Sequence, residues 1–134
     1  MAEIDPWELA RGYAAWAESG DRSVMELFSP EFLDNVSGRR GLGIFDLVAK
    51  WAEESFADKR IELHAAMRDG DRIMVWFTSY AVHIGNGFPR LVGKPVNRAE
   101  VRWPQVHIFR VDNGLVVEHW AVRDDAAMLD CIGE

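Results

Sequence analysis

The sequence is poor in cysteine, and this scarcity limits the chemistry that the chain can perform. Cys131 is the single cysteine among 134 residues. One thiol excludes both an intramolecular disulfide and a cysteine-ligated metal site. Because Cys131 is remote in sequence from every histidine, the sequence also argues against a catalytic thiol.

Long apolar runs and clusters of positive charge are also missing. No stretch approaches the roughly 18 apolar residues of a membrane helix, and the N-terminus does not resemble a signal peptide. The net charge is −7, and the basic residues are scattered along the chain. These features predict a cytoplasmic protein that binds neither nucleic acid nor membrane.

Apolar and aromatic residues, by contrast, are abundant. Hydrophobic residues make up 49% of the chain, with six tryptophans and seven phenylalanines. This content excludes a disordered chain, and the length is sufficient for one domain with its own core. We therefore expect a single domain over residues 1–134.

Helix signals dominate the first half of the sequence. Asp5 is placed to cap a helix over residues 6–20, with proline in its first position and an apolar repeat at helical spacing. We expect a second, short helix within residues 21–30 and an extended segment over 31–36. A longer amphipathic helix is predicted over 44–56.

The hydrophobic period then changes from 3.6 to 2, which indicates strands. Strands are predicted over 61–65 and 73–83, followed by a loop over 84–98. A long hairpin turns at Asn113-Gly114, and a final short helix follows. Helices followed by a meander of strands predict an α+β fold, in which an antiparallel sheet curls into a cone around a pocket covered by helices.

The final hairpin carries the polar residues of greatest interest. Side chains alternate across a strand, so Trp103, Gln105, His107 and Phe109 should share one face. On the return strand, Val117, His119 and Ala121 should share a face opposite Glu118 and Trp120. We therefore expect Gln105, His107 and His119 to point into one cavity.

The same hairpin resembles the signature of a known family. The segment from His107 to Val111, with Gly114, Glu118-His119-Trp120 and Asp124, is similar to SnoaL-like polyketide cyclases, also called ester cyclases, of the nuclear transport factor 2-like superfamily. The resemblance implies a cone-shaped α+β barrel, an apolar pocket closed by helices and a homodimer formed through the outer sheet face. The best-known members close a polyketide ring by a cofactor-free aldol reaction.

Carried over to this chain, the resemblance gives His107 and His119 as catalytic residues, with Gln105 and Asn35 in the pocket. Ring-closing members hold an acid/base aspartate at the position of Ala121. A methyl group cannot transfer a proton, so either other groups perform the chemistry or the chemistry differs.

Each candidate also has a simpler interpretation. The two histidines could be hydrogen-bonded core residues, and a metal site would need more convergent ligands than they supply. Asp124 could replace the missing carboxylate, but a helix cap is the more common role. The aromatic residues Trp76, Tyr80, Trp103 and Phe109 are assigned to the pocket, where they would bind a flat apolar ligand; the alternative is core packing.

Two functions remain open at this point. The first is a small cofactor-free acid/base enzyme acting on an apolar, polycyclic secondary metabolite. The second is a non-catalytic ligand-binding or accessory protein that keeps the pocket, since one fold hosts many activities. In both, the expected partners are an apolar small molecule and a second copy of the chain.

Overall fold

The computed structural model describes residues 3–133, which form a six-stranded sheet covered by helices. In chain order the elements are α1 (Pro6–Ser19), a 3-10 helix (Arg22–Leu27), β1 (Phe28–Asp34), β2 (Arg39–Arg40), α2 (Gly43–Ser55), β3 (Phe56–Asp69), β4 (Arg72–His83), a 3-10 turn (Pro89–Leu91), β5 (Glu100–Asp112), β6 (Leu115–Arg123) and α3 (Asp125–Ile132). This arrangement confirms the predicted α+β class.

The helix boundaries follow from the capping residues. Asp5 accepts a hydrogen bond from the backbone N–H of Glu8 at 3.1 Å, and Gly20 ends α1 with a left-handed φ of 76°. Asp124 caps α3 by accepting from the backbone N–H of Ala127 at 3.0 Å. The prediction that Asp124 is a helix cap is therefore confirmed.

The sheet has the strand order β2-β1-β6-β5-β4-β3 and is curved without closing. All neighbouring strands are antiparallel except β1 and β6, which pair in parallel. This one parallel pair departs from the predicted antiparallel sheet. A long crossover separates β1 from β6, so no hairpin turn forces an antiparallel direction on that pair.

Two strands are longer than the sequence pattern predicted. β1 begins at Phe28, within the segment predicted as a short helix, and β3 extends over Phe56–Asp69 instead of 61–65. The pairing of β3 with β4 contains two register shifts, and Asp58 near the first of them has a positive φ of 53°. Such irregularities interrupt the alternation by which a strand is recognised.

The main core lies between α1 and the face of the sheet that we call the inner face. Aromatic rings meet there from helix and sheet: Tyr13 on α1 packs against Phe77 and Phe109, with ring centroids 6.1 and 5.6 Å apart. Phe109, Ile73 and Val75 are fully buried. The inner face of β4 and β5 therefore carries the core, as alternation requires.

The register of β5 and β6 fixes which hairpin residues share the inner face. Phe109 pairs with His119, and His107 pairs with Ala121. A bulge at Val117 shifts the register, so Val116, and not Val117, is the fully buried residue. The prediction for Val117 was wrong, whereas those for His119 and Ala121 were right.

The outer face carries the residues of opposite parity. Ile108 pairs with Trp120, and Arg110 forms a cross-strand ion pair with Glu118 at 3.0 Å.

No helix within residues 3–133 is both long and apolar enough to cross a membrane.

Candidate active site

A cavity of about 380 Å³ lies between α1, α2 and the inner face of the sheet. Its walls are largely apolar, and its polar groups fall into two sets. Charged side chains from the ends of α1, α2 and the start of β3 line its rim, among them Glu18, Glu53, Lys59 and Arg60. Ser79, Gln105 and Arg123 lie on the inner face of the sheet beside the aromatic walls, which include Tyr13, Trp16, Phe77 and Trp103.

Behind this wall, four side chains form a continuous hydrogen-bonded chain. Asp34 Oδ1 and His119 Nδ1 are 2.8 Å apart, and His119 Nε2 lies 2.8 Å from His107 Nδ1. His107 Nε2 in turn lies 2.8 Å from Gln105 Oε1. All four residues are buried. We call this arrangement the proton chain.

Strand pairing brings these residues together. Asp34 on β1 is the register partner of His119 on β6, and Phe109 links β5 to His119 in the same way. Phe32 and Asp34 are both buried because they share one face of β1. The parallel β1–β6 pair therefore places a carboxylate directly beside the predicted histidines.

Hydrogen-bond donors next to the proton chain determine which of its ring nitrogens carry protons. Arg123 Nε donates to Gln105 Oε1 at 3.2 Å, so this amide oxygen must face Arg123 and also accept from His107 Nε2. His107 Nδ1 is then an acceptor, and His119 Nε2 must donate to it. With Asp34 as a carboxylate, His119 also donates through Nδ1, so the hydrogen-bond pattern assigns it as an imidazolium.

The electrostatic environment agrees with a neutral His107 and an ionised Asp34. Burial, together with the charges of His119 and Arg123, lowers the pKa of His107 well below its usual value, so this imidazole is neutral. Burial alone would raise the pKa of Asp34. Hydrogen bonds from His119 and Ser37 outweigh it, and the pKa of Asp34 is lowered. The two imidazoles of the proton chain thus hold one proton more than two neutral imidazoles would.

Tyr13 separates the histidines from the cavity. Its ring lies 5.0 Å from that of His107 and 6.3 Å from that of His119, and the residue itself lines the cavity. The prediction that both histidines point into the cavity was therefore wrong, although both lie on the inner face. Gln105 alone of the predicted polar trio reaches the cavity wall. Burial raises the pKa of Tyr13 to about 12, so its hydroxyl stays protonated.

A second network holds the cavity wall next to Gln105. Trp103 Nε1 donates to Asp125 Oδ1 at 3.0 Å, and Asp125 forms an ion pair with Arg90 at 3.1 Å. The guanidinium carbon of Arg123 lies 5.9 Å from the centre of the Trp103 ring. This network fixes Trp103, as predicted for a pocket residue, and orients Arg123 beside it.

Two of the predicted pocket residues point away from the inner face. Trp76 is on the outer face with its side chain 50% exposed, because Val75 and Phe77 occupy the inner positions of β4. Asn35 is exposed and donates to Glu118 Oε2 at 3.0 Å, since it follows Asp34 and takes the opposite direction. Both assignments were wrong.

Three other predicted pocket residues lie at the cavity wall or behind it. Tyr80 borders the cavity, but its ring lies under Arg60 and its hydroxyl donates to Glu62. Phe109 is fully buried behind the cavity wall and packs on His119 at 5.0 Å, so it is a core residue. Ala121 faces inward beside His107 but does not line the cavity.

The other two histidines hold structural positions. His83 is fully buried, and its Nε2 lies 2.9 Å from Asn86 Oδ1, which anchors the following loop. His64 Nε2 lies 2.8 Å from Thr78 Oγ1 on the outer face. Over residues 3–133 no group of three or more acidic, histidine or cysteine side chains is arranged to hold a metal ion.

The sequence interpretation missed three residues of the site. The resemblance implies polar pocket residues at Asp34-Asn35, but only Asn35 is assigned to the pocket; alternation with the aromatic Phe32 is the sequence signal that favours Asp34. Tyr13 was treated as helix core, although it also lines the cavity. Arg123 lies two residues after Ala121 on β6. Alternation along the strand therefore predicts that it shares the inner face with His119 and Ala121.

The comparisons with known proteins identify the family. The family model described as SnoaL-like polyketide cyclase matches residues 8–131, so the chain belongs to this family. A search of curated proteins found no significant match.

Solved structures share the fold. TsrD from Streptomyces laurentii has 22% identity, covers 98% of each chain and superposes with a TM-score of 0.81. AclR from Streptomyces galilaeus, a candidate hydroxylase, has 24% identity and a TM-score of 0.77, over 96% of this chain and 80% of AclR. IdmH from Streptomyces antibioticus, a candidate polyketide cyclase, has 19% identity and a TM-score of 0.72, over 98% of this chain and 100% of IdmH. Another neighbour is described as having a ketosteroid isomerase-like fold. These likenesses confirm the predicted fold.

Proposed function

We propose that this protein is a cofactor-free acid/base enzyme of the SnoaL-like polyketide cyclase type. Its substrate is an apolar, ring-containing secondary metabolite bound in the cavity. The reaction is a cyclisation or isomerisation that moves a proton between carbon and oxygen atoms of that substrate. His107 exchanges this proton with the substrate, and His119 and Asp34 support His107 from behind.

One observation carries the proposal: the proton chain ends in a buried carboxylate. Ring-closing relatives are expected to use an aspartate at the position of Ala121, and here that side chain is a methyl group. Asp34 supplies a carboxylate from another strand, 2.8 Å from His119. A carboxylate so placed orients an imidazole and stabilises its cationic form.

The proton chain can act both as an acid and as a base. As an acid, His107 gives its Nε2 proton to the substrate while His119 passes its Nε2 proton to His107 Nδ1. His119 becomes neutral, and no charge is left on His107. As a base, the neutral chain takes a substrate proton at His107 Nε2 and restores the His119 imidazolium beside Asp34.

Substrate contact requires a movement of Gln105. The amide oxygen of Gln105 accepts the hydrogen bond from His107 Nε2. The Gln105 side chain therefore lies between this nitrogen and the cavity. A substrate oxygen that accepts a hydrogen bond from His107 would displace the amide oxygen of Gln105. The Gln105 amide would then keep its hydrogen bonds with Ser79 and Arg123. The protonated hydroxyl of Tyr13 is a further donor at the same wall.

The cavity walls favour a flat apolar ligand. Trp16, Phe77 and Trp103 present aromatic surface to it. Burial of apolar area contributes about 25 cal/mol per Å², and ring contacts add further stabilisation. A fused aromatic or partly reduced ring system is the ligand that gains most from such walls.

Hydrogen–deuterium exchange of a model ketone tests the proposal. Wild-type protein in D₂O should accelerate exchange of the protons next to the carbonyl of 1-tetralone, followed by mass spectrometry. His107→Gln, His119→Gln and Asp34→Asn should each lower the enzyme-dependent rate by about 10²–10⁴-fold, the range for a lost acid or base. His64→Gln on the outer face is the matched control and should exchange normally.

The shielding of the histidines favours a second candidate function, a non-catalytic binder. Tyr13 and Gln105 stand between His107 and the cavity, as expected if the polar chain only stabilises the fold. In that case wild-type protein would bind 1-tetralone without accelerating exchange over the buffer rate, and the enzyme proposal would fail.

We also propose that the protein is a homodimer formed through the outer face. Trp76 is 50% exposed and Met67 54% exposed, and Ile108 and Trp120 lie on the same face. Large apolar side chains exposed on one sheet face are typical of an interaction surface.

A further inference from the structure

Among residues 3–133, Arg123 is a cation in the cavity wall that forms no salt bridge. Its Nε donates to the neutral amide of Gln105 at 3.2 Å, and its guanidinium lies beside the Trp103 ring. Within residues 3–133 no carboxylate lies within salt-bridge distance of it: the two nearest in sequence are Asp124, which caps α3, and Asp125, which binds Trp103 and Arg90. The chain has a net charge of −7, so an unpaired cation in a cavity is unexpected.

The groups around Arg123 are donors or can donate. Gln105 Nε2 points to Ser79 Oγ at 3.4 Å, so the hydroxyl of Ser79 is free to donate. The amide oxygen of Gln105 is already occupied by His107 and Arg123. Tyr13, protonated because burial raises its pKa to about 12, adds another O–H. Several donors and one cation around a small volume match an anionic oxygen.

We propose that the ligand carries an acidic oxygen, ionised at neutral pH, that binds Arg123. This inference rests on the proposed function of the same cavity and names the chemical class of its substrate. A carboxylate and the anion of an acidic enol share this chemistry. A neutral ester or ether of the same ring system would leave the guanidinium unpaired and bind more weakly.

The charged rim of the cavity does not supply this recognition. Glu18 and Glu53 offset Lys59 and Arg60 there. Arg60 is exposed and lies over the Tyr80 ring at 4.3 Å, at this rim. Solvent screens charges in such positions, so they contribute little to binding. Arg102, an exposed arginine on β5 that does not line the cavity, therefore serves as the matched control for Arg123.

Calorimetric titration with two pairs of probes at pH 7.5 tests the inference. The first pair is 1-naphthoate and its methyl ester, and the second is 2-hydroxy-1,4-naphthoquinone, an acidic enol, and its methyl ether. Wild-type protein should bind at least one anion about 10- to 100-fold more tightly than its neutral partner, the range for a hydrogen bond to a charged group. The pair with the larger preference identifies the source of the anion.

Variants assign the preference to Arg123. Arg123→Gln should bind the anionic and neutral members of each pair equally, with neutral binding kept close to wild type. Arg123→Lys should retain part of the preference, and Arg102→Gln should retain all of it. The inference is overturned if wild type shows no preference in either pair, if Arg123→Gln keeps it, or if none of the four probes binds.

This result is separable from the proposed function. An anion preference that depends on Arg123, without ketone exchange, would uphold the ligand class and refute the acid/base activity. Exchange that depends on His107, without any anion preference, would refute the ligand class alone.

Discussion

Replacing His107 by glutamine should flatten the dependence of protein stability on acidic pH. In the folded protein His107 is neutral, since burial and the charges of His119 and Arg123 lower its pKa well below the usual value. The unfolded chain exposes the same imidazole, whose pKa is then about 6.5. Below that pH the unfolded state binds a proton that the folded state does not.

The sign and size of the effect follow from proton linkage. Stability falls with decreasing pH wherever the unfolded state holds more protons, by about 1.4 kcal/mol per pH unit for one proton. Below pH 6.5 His107 should therefore reduce the free energy of unfolding by up to about 1.4 kcal/mol per pH unit, until the pH reaches its lowered folded-state pKa. This contribution is lost in His107→Gln, because glutamine has no proton to gain.

Urea denaturation at a series of pH values measures the difference. The slope of unfolding free energy against pH should be smaller in His107→Gln than in wild type by about 1.4 kcal/mol per pH unit. His64→Gln serves as the control, because this exposed histidine lies on the outer face, away from the proton chain. Equal slopes for wild type and His107→Gln would refute the neutral, buried state of His107.

Three further outcomes are expected. Asp124→Ala should cost about 1 kcal/mol of stability as a lost N-cap, measured by urea denaturation, and leave 1-tetralone exchange intact. Phe109→Ala should cost about 3–5 kcal/mol in the same assay, because it empties a fully buried position behind His119. Light scattering should give twice the 15.2 kDa chain mass, and Trp76→Lys should shift the protein to monomer; a wild-type monomer would contradict the dimer.

The final hairpin was the part of the fold most open to prediction. Asn113-Gly114 fixes the turn, and alternation then places Gln105, His107 and Phe109 on one face whatever the rest of the chain does. The ion pair of Arg110 with Glu118 and the cap at Asp124 are also local effects. Short-range rules are sufficient for such features.

The remaining errors have long-range causes. Asp34 meets His119 only through a parallel strand pair, and nothing in the sequence near β1 specifies that partner. The bulge at Val117 depends on how β5 and β6 fit together. Whether the histidines reach the cavity depends on where α1 places Tyr13, which is a matter of tertiary packing.

Trp76 illustrates a different error. It is assigned to the pocket together with the other large rings, although alternation along β4 gives it the direction opposite to Phe77. The structure buries Val75 and Phe77 and exposes Trp76. A large ring on a strand therefore indicates either a core or an interface, and the sequence alone does not distinguish them.

The most direct test of the proton chain is nitrogen NMR of ¹⁵N-labelled histidine side chains at pH 7. Long-range proton–nitrogen correlations report which ring nitrogens carry protons. We expect His119 to be protonated on both nitrogens and His107 to be neutral with its proton on Nε2. Asp34→Asn should convert His119 to a neutral ring. A spectrum of the wild type in which both His107 and His119 are neutral would contradict the account.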